Sequence, residues 1–173
     1  MRARAARAAL VAGVALVGAV VGCAGRRLDD SGTFRSEHGY RVTVPSAGWS
    51  VVGDTPADIE VRRADGRAAM LAAATCRAAA TRAAASVLGR HLLLGLRDRE
   101  TLVSEAAALA GRRGIHVIVE GRMQGRAERV RVESYTVKDT RCVYDLMYAA
   151  PVAVFDTFRT DFERFVQSFT AEG

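Results

Sequence analysis

Four extended segments, about Leu102–Ala110, Ile115–Gly121, Ala127–Val137 and Cys142–Ala149, follow one another with short breaks at Gly111–Gly114, Arg122–Gly125 and Lys138–Arg141. A parallel pair needs a crossover of roughly a dozen residues or more, so breaks this short leave only an antiparallel meander. Upstream, Thr33–Ser36 and Tyr40–Val44 flank the turn Glu37-His38-Gly39, and Asp58–Arg63 and Arg67–Thr75 flank Ala64-Asp65-Gly66. Asp-Gly between extended segments is a strong local hairpin signal.

Two stretches change period. Over residues 78–97, Ala84, Val87, Leu88, His91, Leu92 and Leu96 recur at three- and four-residue steps, which predicts a helix with His91 as a packing residue on its apolar face. Over residues 153–169, Phe155, Phe158, Phe162, Phe165, Val166 and Phe169 close one apolar stripe. Such a stripe predicts a core-facing helix, with Asp156, Arg159, Asp161, Glu163 and Arg164 solvating the rest, so that Arg159→Ala should be close to neutral. Strands, helix, four strands and a terminal helix make an α+β domain: an antiparallel β-sheet with helices packed on both faces, an α/β/α sandwich. The alternative is an open layer with both helices on one face.

The N-terminus is organised differently. Arg2, Arg4 and Arg7 precede an uncharged apolar run, Ala8–Val21. That is the layout of an export signal, and the run is shorter than the ~20 residues of a membrane span. Val20-Val21-Gly22-Cys23 resembles a lipobox, the processing site of bacterial lipoproteins, with Gly22 and Cys23 matching and the two valines departing from the commonest residues. The resemblance implies that Cys23 carries a lipid and becomes the mature N-terminus. Ala24 follows, where an Asp would imply retention in the inner membrane, so the expected location is the outer membrane, facing the periplasm. The chain then divides into a signal peptide at 1–22, a lipidated Cys and tether at 23–32, and a single domain at 33–173.

An oxidising compartment makes the two remaining cysteines, Cys76 and Cys142, a candidate disulfide; two separate buried thiols are the alternative. The 66-residue separation would make the bridge worth about 4 kcal/mol through loop-closure entropy.

Within the domain, Gly39-Tyr40-Arg41-Val42-Thr43-Val44-Pro45 followed by Gly48-Trp49, and Tyr144-Asp145-Leu146 through Ala150-Pro151 into the Phe-rich helix, carry a resemblance. Together they resemble the PsbP-like fold family, which includes the photosystem extrinsic protein, the Ran-binding Mog proteins and bacterial lipoproteins. The resemblance covers about residues 33–170 in element order. It implies a non-catalytic accessory or binding domain and names no ligand.

The chemistry-bearing residues agree with that class. There is no Gly-x-Ser-x-Gly elbow, no Cys-x-x-Cys pair and no phosphate-binding loop. His38, His91 and His116 have no metal-ligand spacing, so no metal and no cofactor is expected. Asp145, inside an apolar strand, reads as a partnered structural acid. The chain has 25 Lys+Arg against 19 Asp+Glu, and without residues 1–22 the balance is +3. That is too small to argue for nucleic acid. Alternate turns of a meander lie at one end of the sheet, so Arg112 and Arg113 share an end with Lys138 and Arg141. These four are a candidate basic rim for anionic headgroups or an envelope protein partner. A membrane-anchored accessory domain is therefore expected, with a small exported hydrolase built around Asp145 and a purely structural envelope protein as rivals. Thiol labelling of unfolded, unreduced protein is expected to find neither Cys76 nor Cys142 free, and two free thiols would contradict the pairing.

Overall fold

A computed structural model describes residues 28–87, 93 and 95–172 of the chain. The first hairpin is β1 (Thr33–Arg35) and β2 (Tyr40–Thr43). β3 (Trp49–Val51), β4 (Ile59–Arg63) and β5 (Ala69–Thr75) follow, then a single helical turn and a half, α1 (Ala78–Arg82). The long meander is β6 (Leu96–Leu109), β7 (Arg112–Met123), β8 (Arg129–Lys138) and β9 (Val143–Pro151). A 3-10 turn, Val152–Val154, leads into α2 (Phe155–Gln167), and β10 (Thr170–Ala171) closes the described chain. Strands β3-β4-β5-β9-β8-β7-β6 form one seven-stranded antiparallel sheet, and β1-β2-β10 form a second, three-stranded one.

The meander is longer than the sequence reading made it, because its turns are tighter. Ala110 and Gly111 both take positive φ, as a two-residue hairpin turn requires, so β7 already starts at Arg112. Gly114 is then a strand residue, and a Cβ there would collide with the Thr136 carbonyl of β8.

The helix expected over 78–97 is the main correction. Its described parts are the five-residue α1 and, after a break at Ala83 and Ala84, a second helical stretch at residues 85–87. Leu96, which also fits helical spacing, is the first residue of β6, where it packs with Leu93, Val117 and Val119 on the sheet. A single apolar position fits either period, and the strand wins because the sheet offers a buried slot. Leu88, His91 and Leu92 lie outside the described residues.

The main core lies between the sheet and α2. Phe155, Phe162 and Phe165 are buried against Leu146, Tyr148 and Met70, with Phe169 just past the helix end. The three-stranded sheet adds Phe34, Tyr40 and Val42 to the same cluster. Phe158 is less buried: it lies edge-on to Trp49 and is capped by the Arg63 guanidinium, 4.5 Å from its ring centre. Trp49 in turn donates Nε1–H to Asp161 of α2 at 2.9 Å, which fastens β3 to the helix. The opposite sheet face carries a smaller cluster of Leu93, Leu96, Val117, Val119, Val130 and Val132.

Glu133 of β8 is fully buried under α2. Arg159 donates to it through Nε at 2.8 Å and Nη2 at 3.2 Å, and His116 of β7 meets it at 2.9 Å. Burial favours the neutral acid, but these charged donors outweigh it and hold Glu133 below its ordinary value. Arg159 is therefore not the neutral surface residue that the helix pattern suggests.

Two substitutions on α2 test this packing by urea or thermal unfolding. Phe162→Ala is expected to cost about 3–5 kcal/mol through transfer and cavity terms. Arg159→Ala is expected to cost about 3 kcal/mol, the low end for breaking a buried pair, because Arg159 is itself half-exposed. An Arg159→Ala protein as stable as its parent would show that Glu133 is satisfied without it.

Candidate functional site

One polar cluster lies where β5 ends, β7 and β9 begin and β8 turns. Cys76 follows β5, Cys142 precedes β9, and Thr75 and Val143 are register partners, so the cysteines occupy the next rung and are bonded to each other. The turn beside them is organised by Asp139. Its Oδ1 accepts the backbone N–H groups of Arg141 and Cys142, and its Oδ2 accepts Arg112 Nε at 2.9 Å and the Tyr144 hydroxyl at 3.1 Å. Burial alone would raise this acid. The backbone donors and the Arg112 guanidinium outweigh it and bring Asp139 down to about 2.

The structure places the four residues of the candidate rim at this end but gives them different tasks. Arg112 is mostly buried and also donates to the carbonyls of Ala171 and Glu172, tying β7 to the end of the described chain. Lys138 donates to the carbonyls of Thr81 and Ala83 at the C-terminal end of α1. Arg113, the register partner of Lys138, is exposed, as is Arg141, whose Nη2 lies 3.3 Å from where a Cβ on Gly39 would stand. Two cations of the four are thus structural, and two face solvent. Cys23 lies outside the described residues.

A second cluster sits at the tip of the β1–β2 hairpin, and the sequence reading missed it. Asp58 Oδ2 accepts Ser36 Oγ at 3.1 Å and the backbone N–H of Ala74 at 3.0 Å, and lies 3.0 Å from His38 Nδ1. A serine, a histidine and an aspartate come together, but not as an acyl-transfer relay. Ser36 and Asp58 approach the same ring nitrogen, 3.5 and 3.0 Å away, whereas a relay needs them on opposite nitrogens. The cluster clamps the hairpin to β4 and β5. His38 and Asp58 are 20 positions apart with no motif between them, so only the fold could pair them.

Asp145, the acid singled out from sequence, is partnered: Thr136 Oγ1, directly across from it on β8, donates to Oδ1 at 2.7 Å. No basic side chain among the described residues bonds or pairs with it, and burial pushes the carboxyl up to about 6. The described residues contain no group of three side chains suited to a metal ion, and no helix long and apolar enough to cross a membrane. On the second face of the sheet, a cavity of about 460 Å³ lies over Ile115, Val117 and Val119, with Arg99, Thr101 and Ser104 at its edge.

The raised Asp145 has a definite pH signature. The unfolded chain ionises there near 3.8 and the folded chain only near 6, so stability falls as pH rises through that window and the cost persists above it. Asp145→Asn keeps an acceptor for Thr136, and by unfolding measurements is expected to gain up to about 3 kcal/mol at pH 7. Its gain at pH 4 should be close to zero, and an equal effect at both pH values would contradict an ionising Asp145.

No family model matches the sequence, and no curated protein matches it. Solved structures do match in three dimensions. Cyanobacterial PsbP (CyanoP) from Synechocystis sp. PCC 6803 is 15% identical with a TM-score of 0.59, over 90% of this chain and 99% of that one. LpqN, involved in cell envelope biogenesis of Mycobacterium tuberculosis, is 13% identical with a TM-score of 0.58, over 84% and 87%. The Ran-binding protein Mog1p of Saccharomyces cerevisiae is 12% identical with a TM-score of 0.50, over 77% and 90%. Identities this low carry the architecture alone, and by that architecture the chain has the PsbP-like fold.

Proposed function

We propose that the protein is a lipid-anchored, non-catalytic accessory domain of the bacterial cell envelope, tethered through Cys23 to the outer membrane and facing the periplasm. The observation that carries this reading is the leader: three arginines, an uncharged apolar run and Gly22-Cys23, followed at once by a domain. The described fold begins with Leu28, bridged to Phe34 of β1. Five residues from Cys23 to Leu28 span at most about 18 Å, so an anchored domain would stay close to the lipid surface. The likeness to LpqN, a protein of envelope biogenesis, supports the compartment. The complete architecture in this reading is the sandwich with layers on both sheet faces, of which α2 is one and α1 with Leu93 begins the other.

The surface we assign to an envelope partner is the disulfide end. Arg112, Lys138 and the Cys76–Cys142 bridge stiffen it, and Arg113 and Arg141 remain exposed for an acidic surface.

Metabolic labelling with a fatty acid and membrane fractionation test the anchor. The unaltered protein is expected to take the label and sediment with membranes, and Cys23→Ser to do neither. An unaltered protein that never takes the label would end the proposal.

A further inference from the structure

We infer that His116 is a proton-operated latch that holds the edge strand β6 onto the sheet. His116 lies on β7 and is buried, 6% exposed. Its Nδ1 is 2.9 Å from Oε1 of Glu105, its register partner on β6, and its Nε2 is 2.9 Å from Oε1 of Glu133 on β8. A carboxylate can only accept. A neutral imidazole carries one N–H, so it can serve one of these oxygens and must turn a lone pair on the other. Only the imidazolium, with two N–H groups, satisfies both.

The other polar groups around the ring agree with a held proton. Glu105 comes from β6, Glu133 and Tyr135 from β8, and Arg159 with its neighbour Glu163 from α2. Tyr135 stacks on the ring at 4.3 Å and fixes its plane. Arg159 is the one cation among them, and it is already spent on Glu133 and Glu163. Burial alone would strip the ring of its charge, but the bonds to Glu133 and Glu105 outweigh it and hold the proton above the ordinary histidine range.

Exposure decides which bond fails when the proton leaves. The Glu133 side chain is 0% exposed and cannot be rehydrated, whereas that of Glu105 is 64% exposed and can turn to water. The remaining N–H stays on Nε2 for Glu133, and the Nδ1 lone pair repels Glu105. β6 is the strand that depends on this tie. It is the terminal strand of the sheet, paired on one side only, and bulges after Arg97 and Thr101 interrupt its ladder, leaving Val103–Leu109 as its regular run. Glu105 sits within that run. Because the folded-state proton is held more tightly than in the unfolded chain, the latch is closed at low pH and opens as pH rises through the His116 midpoint.

Nuclear magnetic resonance on the intact chain tests this, by titrating the His116 ring and measuring amide exchange on both sides of its midpoint. The midpoint is expected above that of free histidine, about 6.5. Protection factors over Val103–Ala107 should fall about tenfold above the midpoint, while those in β8 and β9 hold. Glu105→Gln, at an exposed position that keeps an oxygen acceptor, should lower the midpoint and flatten the pH dependence in β6. A midpoint at or below 6.5, β6 protection that does not change through it, or equal losses in β8 and β9 would each overturn the latch.

Discussion

The aromatic side chains of α2 interlock with tyrosines of β9, and through them the two sheets become one body. Phe155 and Phe162 lie 4.9 and 5.5 Å from the Tyr148 ring, and Phe169 lies 5.4 Å from Tyr144. Phe169 also meets Tyr40 at 5.8 Å, and Tyr40 belongs to the three-stranded sheet. Tyr148 sends its hydroxyl to the Phe155 carbonyl at 2.8 Å, so the apolar contact also satisfies a buried donor at the start of the helix. Tyr40 also meets Tyr144 directly at 5.9 Å, so the small sheet is held to the large one from both the helix end and β9.

A buried carboxylate is laid across that apolar interface. Glu133 has cations on two sides, Arg159 from the helix and His116 from the sheet, and this is the condition under which a charge can stay buried. The arrangement joins four consecutive elements in space: β6 through Glu105, β7 through His116, β8 through Glu133 and α2 through Arg159. An apolar core could hold these elements as firmly. What the charges add is register, because a one-residue slip of β7 against β8 would turn His116 to the opposite face.

The disulfide end works by the same logic with different groups. Asp139 collects two backbone donors, an arginine and a tyrosine, and two of the nearby cations, Arg112 and Lys138, are committed to Asp139 or to carbonyl ends. A basic composition at one end of a sheet therefore need not make a basic surface. Here it leaves Arg113 and Arg141 exposed around a rigid turn.

The meander, its antiparallel order and the Phe stripe were all legible in the sequence, because each depends on spacing between near neighbours. Short breaks force hairpins, and a 3.6-residue period forces one apolar face. The Cys76–Cys142 pairing was legible by elimination once Cys23 was set aside as the expected lipid-bearing residue. The helix end near Leu96 was misread because one leucine fits both periods, and only the slot beside Leu93, Val117 and Val119 settles it. Arg159 was misread for a related reason: its place opposite the Phe stripe predicts solvent, and nothing in the local pattern announces an acid buried on a strand 26 residues away. His116 and Glu133, and likewise His38 and Asp58, are joined only by strand register and hairpin docking. Sequence determined the elements, since their signals are local. Tertiary structure decided which charges are buried, because burial depends on what a distant segment brings to the other side.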